Sequence, residues 1–172
     1  MTTHPMTLSV NTKHHFHSIT TLGIISDTHG LLRDEAKAAL KGSELILHAG
    51  DIGTCAVLDE LQQIAPTIAV RGNIDSDRWA ELLPEVVTVV VNGMKFLLLH
   101  NIRDLNIDPA AQGYRAVIYG HSHKPHNELK SGVLFFNPAS AGPRRFLLPI
   151  ALGKIFLTAD ELQAQIVELD CG

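Results

Sequence analysis

Short apolar runs bounded by turns dominate the chain, and most end on a polar residue with coordinating chemistry. Residues 20–25 form a buried-strand pattern that stops at Ser26-Asp27. Residues 32–40 carry Leu32, Ala36, Ala39 and Leu40 at helical spacing, with Gly42 as a stop. A second strand is expected over 44–47. Thr54 then caps a helix running to about residue 64, where Val57, Leu58, Leu61 and Ile64 share one face and Pro66 ends it. A third strand over 67–70 completes a strand-helix-strand-helix-strand order, which argues for parallel pairing with right-handed crossovers.

The pattern changes at Glu85. Val86–Val91 and Met94–Leu99 flank Asn92-Gly93, a strong two-residue hairpin signal. Asp108-Pro109 reads as the start of a short helix. Strands are expected at 116–119 and 133–136, and a closing hairpin at 151–157 and 162–169, the last segment also having a helix-compatible composition. The expected class is α/β, with two packed, mostly mixed sheets and helices outside.

Composition narrows the function classes. The 172 residues, 45% of them apolar, suit one domain over 19–172 preceded by a polar extension over 1–18. His14, His15 and His17 in that extension are read as a solvated tail rather than a metal site. A net charge of -4 without a Lys/Arg cluster gives no nucleic-acid footprint. Cys55 and Cys171 make no Cys-x-x-Cys frame, which fits a reducing cytoplasm. The apolar runs are strand-sized, so no membrane span is expected, and the first residues offer no hydrophobic signal region.

Seven residues of metal-ligand type sit where the expected strands run out. They are Asp27 and His29 in Ser-Asp-Thr-His-Gly, Asp51 in Ala-Gly-Asp-Ile-Gly, Asn73 in Arg-Gly-Asn-Ile, His100 after Phe96-Leu97-Leu98-Leu99, and His121 and His123 in Gly-His-Ser-His. In a continuing strand the i, i+2 pairs Asp27/His29 and His121/His123 would each face one side. Just past the strand, a turn at Thr28-His29-Gly30 lets Asp27 and His29 reach one ion, and Gly50 and Gly53 permit a tight turn at Asp51. Each motif alone is more often a turn or a surface pair. Together they place carboxylates, imidazoles and one amide oxygen at the ends of independent strands, where an open sheet gathers a ligand crevice. Without a thiolate, that set suits a borderline-hard dinuclear site.

The series Asp-x-His, Gly-Asp, Gly-Asn, His, Gly-His-x-His resembles the calcineurin-like metallophosphoesterase superfamily, and in length and spacing its small YfcE-like phosphodiesterase branch. The resemblance implies an αββα sandwich and a metal-dependent phosphodiesterase with a small phosphodiester substrate. It divides the ligands between two divalent ions. Asp27, His29, Asp51 and His123 would hold one; Asp51, Asn73, His100 and His121, also the candidate catalytic group, would hold the other. A hydroxide bridging the ions would attack phosphorus in line. Mn²⁺ is the expected ion, with Fe, Zn, Ni and Co open, and homo-oligomerisation is left open.

The departures are informative. Many members carry a histidine directly after Gly-Asn, where it can protonate the leaving oxygen; here Ile74 stands there. Asn101 replaces a common glycine after His100, and would line the substrate pocket or take a left-handed backbone. Ala139 in Asn137-Pro138-Ala139-Ser140 replaces a glycine. His48 and Asp75 are candidates for orienting the ligands from behind, with a core histidine and a turn carboxylate as the plainer readings. His126 is read as surface, and Arg144 and Arg145 as solvated or substrate-facing. Two alternatives remain: a phosphomonoesterase, and a non-catalytic interaction scaffold like the retromer subunit of this fold.

Overall fold

The computed structural model describes residues 13–172. Its strands are β1 (Lys13–Phe16), β2 (Thr21–Ile25), β3 (Leu45–His48), β4 (Thr67–Ala69), β5 (Val86–Val91), β6 (Met94–Leu99), β7 (Tyr114–Ile118), β8 (His126–Lys130), β9 (Val133–Asn137), β10 (Ala151–Leu157) and β11 (Leu162–Glu168). The helices are α1 (Asp34–Leu40) and α2 (Cys55–Gln62). One sheet has the order β1-β5-β6-β7-β9-β8, the other β11-β10-β2-β3-β4. Both are mixed, as expected. β2, β3 and β4 run parallel to one another, and so do β6 and β7.

Alternation along the strands builds the layers. Leu22 and Ile24 of β2, Leu45 and Leu47 of β3, Val87 and Val89 of β5, and Phe96 and Leu98 of β6 fill the space between the sheets. The opposite face of the five-stranded sheet meets the helices: Ile25 and Ile46 pack with Ala36, Leu40, Val57 and Leu61. The outer face of the six-stranded sheet is covered more thinly. There Leu97, Leu99 and Val117 pack under Ile102, Leu105 and Ile107, from a single 3-10 turn (Ile102–Asp104) and its loop. Among the described residues no helix is long and apolar enough to cross a membrane.

Several sequence expectations need correction. Residues 13–16, assigned to a polar extension, form β1, which pairs parallel with β5. Phe16 packs partly into the inter-sheet core, which ties down an otherwise polar segment. The remainder of that extension, residues 1–12, lies outside the described residues. Lys13–Phe16 gave no strand signal because only one face of it is half-buried. β8 was also missed: all five of its residues are exposed, and it exists by antiparallel pairing with β9. The helix expected at Asp108-Pro109 is a run of turns, closed by Gly113 at φ 77°. Thr54 occupies the N-cap of α2, but its side chain makes no capping hydrogen bond. The closing hairpin is present as expected, its last segment a strand antiparallel to β10, which removes the helical alternative.

Candidate metal centre

The carboxyl ends of β2, β3 and β4 in one sheet and of β6 and β7 in the other open at the same edge of the sandwich, and the seven candidate ligands lie in the loops that follow them. Five of these residues have left-handed backbone: Asp27 (φ 54°), His29 (48°), Asp51 (54°), His121 (70°) and His123 (60°). Asp27 and His29 therefore meet through a tight turn, whereas His121 and His123 are turned apart, one to each ligand group. Left-handed backbone disfavours an L-residue by roughly 1–2 kcal/mol, so the surrounding structure must hold each turn in place.

Backbone hydrogen bonds do that holding. Asp27 N donates to Gly50 O at 3.0 Å, His29 N to Asp51 O at 2.9 Å, and Gly120 N to His100 O at 2.9 Å. Asp75 is buried and accepts from Ile52 N (3.1 Å), Gly53 N (2.9 Å) and Gly72 N (2.9 Å). It fixes the Asp51 and Asn73 loops by their backbones and touches no ligand side chain. Gly72 permits the fit: a Cβ there would lie 2.1 Å from Asp51 N and 2.2 Å from its Oδ1.

His48, wholly buried, ties the Asp27 loop to the Asp51 loop. Its Nδ1 accepts from Gly50 N at 3.1 Å, so the ring proton is on Nε2, which donates to Thr28 Oγ1 at 3.0 Å. The Thr28 hydroxyl in turn donates to Ile52 O at 2.9 Å. Burial drives the His48 pKa down to about 4, against the pull of Asp27 and Asp75.

The ligand-type atoms fall into two groups. In the first, Asp27 Oδ2 accepts from Ser26 Oγ (2.6 Å) and His121 N (3.1 Å), while its Oδ1 is buried without a hydrogen-bond partner. That free oxygen lies 3.3 Å from His123 Nε2 and 3.9 Å from His29 Nε2, and the two imidazole nitrogens are 3.2 Å apart. In the second, Asn73 Oδ1 lies 2.9 Å from His100 Nε2 and 3.1 Å from His121 Nδ1. Asp51 Oδ2 stands between the groups, 3.4 Å from His100 Nε2 and 3.8 Å from His29 Nε2.

Most of these spacings fit a cation, and the two from His29 to the carboxylates, 3.9 and 3.8 Å, are wider. Metal–ligand bonds of about 2.1 Å put neighbouring ligand atoms about 3.0–3.4 Å apart. His100 Nδ1 is 2.7 Å from Ala49 O, so it carries the proton and turns the unprotonated Nε2 toward the oxygens of Asp51 and Asn73. A backbone carbonyl behind a ligating imidazole is the usual way its tautomer is set. Lone pairs facing one another in this manner are reconciled by a proton or a cation. Electrostatics agree. Burial lowers the His29 pKa against the pull of Asp51 and Asp27, with His123 and Arg145 adding to the lowering. Burial also acts against His100, but the Asp51 carboxylate facing its Nε2 and the charge of Asp27 raise its pKa overall. For Asp51, burial is outweighed by His100 and by the Ile74 N–H, 3.1 Å from Oδ1, and the pKa falls.

A cleft of about 240 Å³ opens beside the second group, lined by Asn73, His100 and His121 together with Arg71, Asn101 and Asp104. Asn101 is in this lining with extended backbone (φ -114°), and its side chain caps the 3-10 turn by accepting from Arg103 N. The left-handed alternative for Asn101 is therefore corrected. Ala139 does take left-handed backbone (φ 69°), so the turn is retained without its glycine. Ile74 projects into solvent at the rim of the site. His126 is exposed, with its Nδ1 2.5 Å from Tyr119 Oη, a partnership the sequence did not suggest. His14, His15 and His17 are not part of either ligand group.

Comparison with known proteins adds a family. A sequence model described as the calcineurin-like phosphoesterase superfamily domain matches residues 21–160. A phosphodiesterase of Methanocaldococcus jannaschii is 30% identical over 135 residues, which cover 68% of this chain and 81% of that protein. The solved structure of an archaeal phosphodiesterase aligns with a TM-score of 0.71 at 25% identity, over 86% of this chain and 99% of that one. Vacuolar protein sorting 29 from Cryptosporidium parvum aligns with a TM-score of 0.76 over 90% of this chain and 93% of its own, and at 20% identity shares the fold alone.

Proposed function

The chain belongs to the calcineurin-like phosphoesterase superfamily, and from that premise we propose that it is a metal-dependent phosphodiesterase with two ions at the sheet edge. Asp27, His29, Asp51 and His123 would hold the first ion, and Asp51, Asn73, His100 and His121 the second. The carrying observation is the position of Asp51 Oδ2 between two clusters of coordinating atoms, one of which includes the unpaired Asp27 Oδ1. Mn²⁺ is the proposed ion, with Fe, Zn, Ni and Co as the others to test. When bound, such ions supply positive charge to the phosphate oxygens and lower the pKa of water enough to make it a nucleophile at neutral pH.

The protein's own groups then have distinct tasks. Asn73 and His121 are exposed on the cleft side, where they can meet a non-bridging phosphate oxygen as its charge builds. Ile74 fixes Asp51 through its backbone N–H, but its side chain has no proton to give a departing ester oxygen. General-acid help is worth about 10²–10⁴ in rate. The favoured substrates are therefore diesters whose leaving oxygen needs no proton, such as aryl esters, and simple alkyl monoesters are poor ones.

The test is kcat/KM across phosphodiesters of graded leaving-group pKa, with each candidate metal added to chelator-treated protein. A steep dependence is expected, and Ile74→His should improve the poorest substrates by about tenfold or more if its ring reaches the leaving oxygen. A flat dependence with chemistry rate-limiting would mean that another acid serves. No turnover of any diester with any metal would remove the proposal.

A further inference from the structure

Next to the first ligand group the surface carries a basic and apolar ledge. It is a hollow of about 580 Å³ bounded by Ser122, Lys124, Arg145, Phe146, Leu147 and Leu148. Phe146 is 86% exposed and Leu147 98%, the two most exposed large apolar residues apart from Leu82. A tight turn closed by Leu148 N donating to Arg145 O presents them, and Phe146 is held at φ 53°, a backbone conformation unusual for a bulky side chain.

Both walls of the ledge are extensions of the candidate centre. Ser122 and Lys124 share the loop of His121 and His123. The opposite wall rises from Ser140–Gly142, where Ser140 Oγ donates to Asp27 O at 2.8 Å and Ala141 N to Ser26 O at 3.1 Å. A group bound on the ledge would thus sit beside a phosphate held at the centre, and Lys124 and Arg145 complement that phosphate's negative charge.

We propose that this ledge binds an apolar ester arm of the substrate, which makes the substrate class an amphiphilic phosphodiester. This rests on the phosphodiesterase reading above. The two sides of the centre differ as such a substrate requires. The cleft beside Asn73, His100 and His121 sets Arg71, Glu85, Asn101 and Asp104 beside Val86 and Leu99 and suits the more polar arm; the ledge offers Phe146, Leu147 and Leu148 to an aliphatic or aromatic one. Two neighbouring apolar side chains in open solvent contribute nothing to the folded core, so a binding role accounts for them better than a packing role.

Alkylphosphonates provide the test, because their carbon–phosphorus bond is not an ester and their binding is read by calorimetry rather than turnover. Methyl-, butyl- and octylphosphonate are titrated into the full chain supplemented with Mn²⁺. A chain half removed from water on an open ledge gains about twofold per methylene, so affinity should rise roughly a hundredfold from methyl to octyl. F146S/L147S should flatten the series, and both sites are exposed enough for the fold to survive, as circular dichroism would verify. Arg145→Gln should weaken all three ligands by a similar factor. Methylphosphonate binding with no gain from chain length, or a gain that persists in F146S/L147S, would overturn the ledge while leaving the phosphodiesterase reading in place. Absence of binding at every length, together with absent diester hydrolysis, would remove both.

Discussion

Asp27 and His123 are almost wholly shielded from solvent, whereas Asn73 and His121, on the other side of Asp51, are exposed. The buried group is made entirely of residues with left-handed backbone: Asp27, His29 and His123. Of the residues that belong to the open group alone, only His121 has such backbone, and His100 is instead anchored from behind by Ala49 O. The contrast suggests a division of labour. The first group is a closed fixture whose strain is carried by the surrounding hydrogen bonds, and the second is the face that meets substrate. Asp51 belongs to both, and its carboxylate is the point at which the two can be uncoupled.

The largest effect should come from that shared point. Asp51→Asn is expected to lower kcat/KM by at least about a thousandfold, since it weakens both ion sites at once. Far-UV circular dichroism should stay close to wild type. Global unfolding would instead assign Asp51 a structural role. Single-group changes should separate the two halves. His121→Ala is expected to cost about a hundredfold or more in kcat with little change in thermal midpoint, because the side chain is exposed. Asp27→Asn should lose turnover and also destabilise the fold, through the bonds that Ser26 and His121 make to its carboxylate. If both variants lost the same stability, the distinction between fixture and open face would fail.

A smaller effect follows from His48, which joins the Thr28 and Gly50 loops as a neutral ring. Its folded pKa of about 4 lies below the ordinary 6.5, so the folded protein takes up this proton less readily than the unfolded chain. The stability contributed is complete above pH 6.5, declines as the pH falls toward 4 and is gone below it, a total of roughly 3 kcal/mol. Urea midpoints of chelator-treated protein across that window should show the decline, and His48→Gln should lose this part of the slope. An unchanged slope in His48→Gln would assign the acid sensitivity to other groups.

The smallest effect concerns Ala139, whose left-handed backbone strains a turn outside both ligand groups. Ala139→Gly should relieve that strain, offset by the loss of a buried methyl and by glycine's greater freedom in the unfolded chain. A net gain of no more than about 1 kcal/mol in a urea titration is expected. A loss of stability would show that packing around the methyl outweighs backbone strain there.

How far the sequence could be read depended on where each element's specifying contacts lie. Val86–Val91 and Met94–Leu99 were legible to the residue because Asn92 (φ 51°) and Gly93 (φ 81°) supply the turn locally. β8 was not, since His126–Lys130 buries nothing and is specified by β9 across the chain. Its Ser131-Gly132 turn, with φ 52° and 76°, was the available signal. At the site, the residue types and their strand-end positions were legible. Their turns were legible from the neighbouring glycines, but the left-handed backbone of the ligands themselves was not, because local sequence rarely specifies such backbone at histidine. Asp75 and His48 could be singled out, but their work as backbone fasteners depends on loops 20 or more residues away in sequence and appears only in the folded arrangement.

The most direct test of the divided centre is the number of Mn²⁺ ions bound per chain, measured by calorimetry on chelator-treated protein. The wild type should bind two, His121→Ala should keep the tighter, buried site, and Asp51→Asn should hold at most one, weakly. A wild type that binds a single ion, or an Asp51→Asn variant that still binds two with unchanged affinity, would contradict the account.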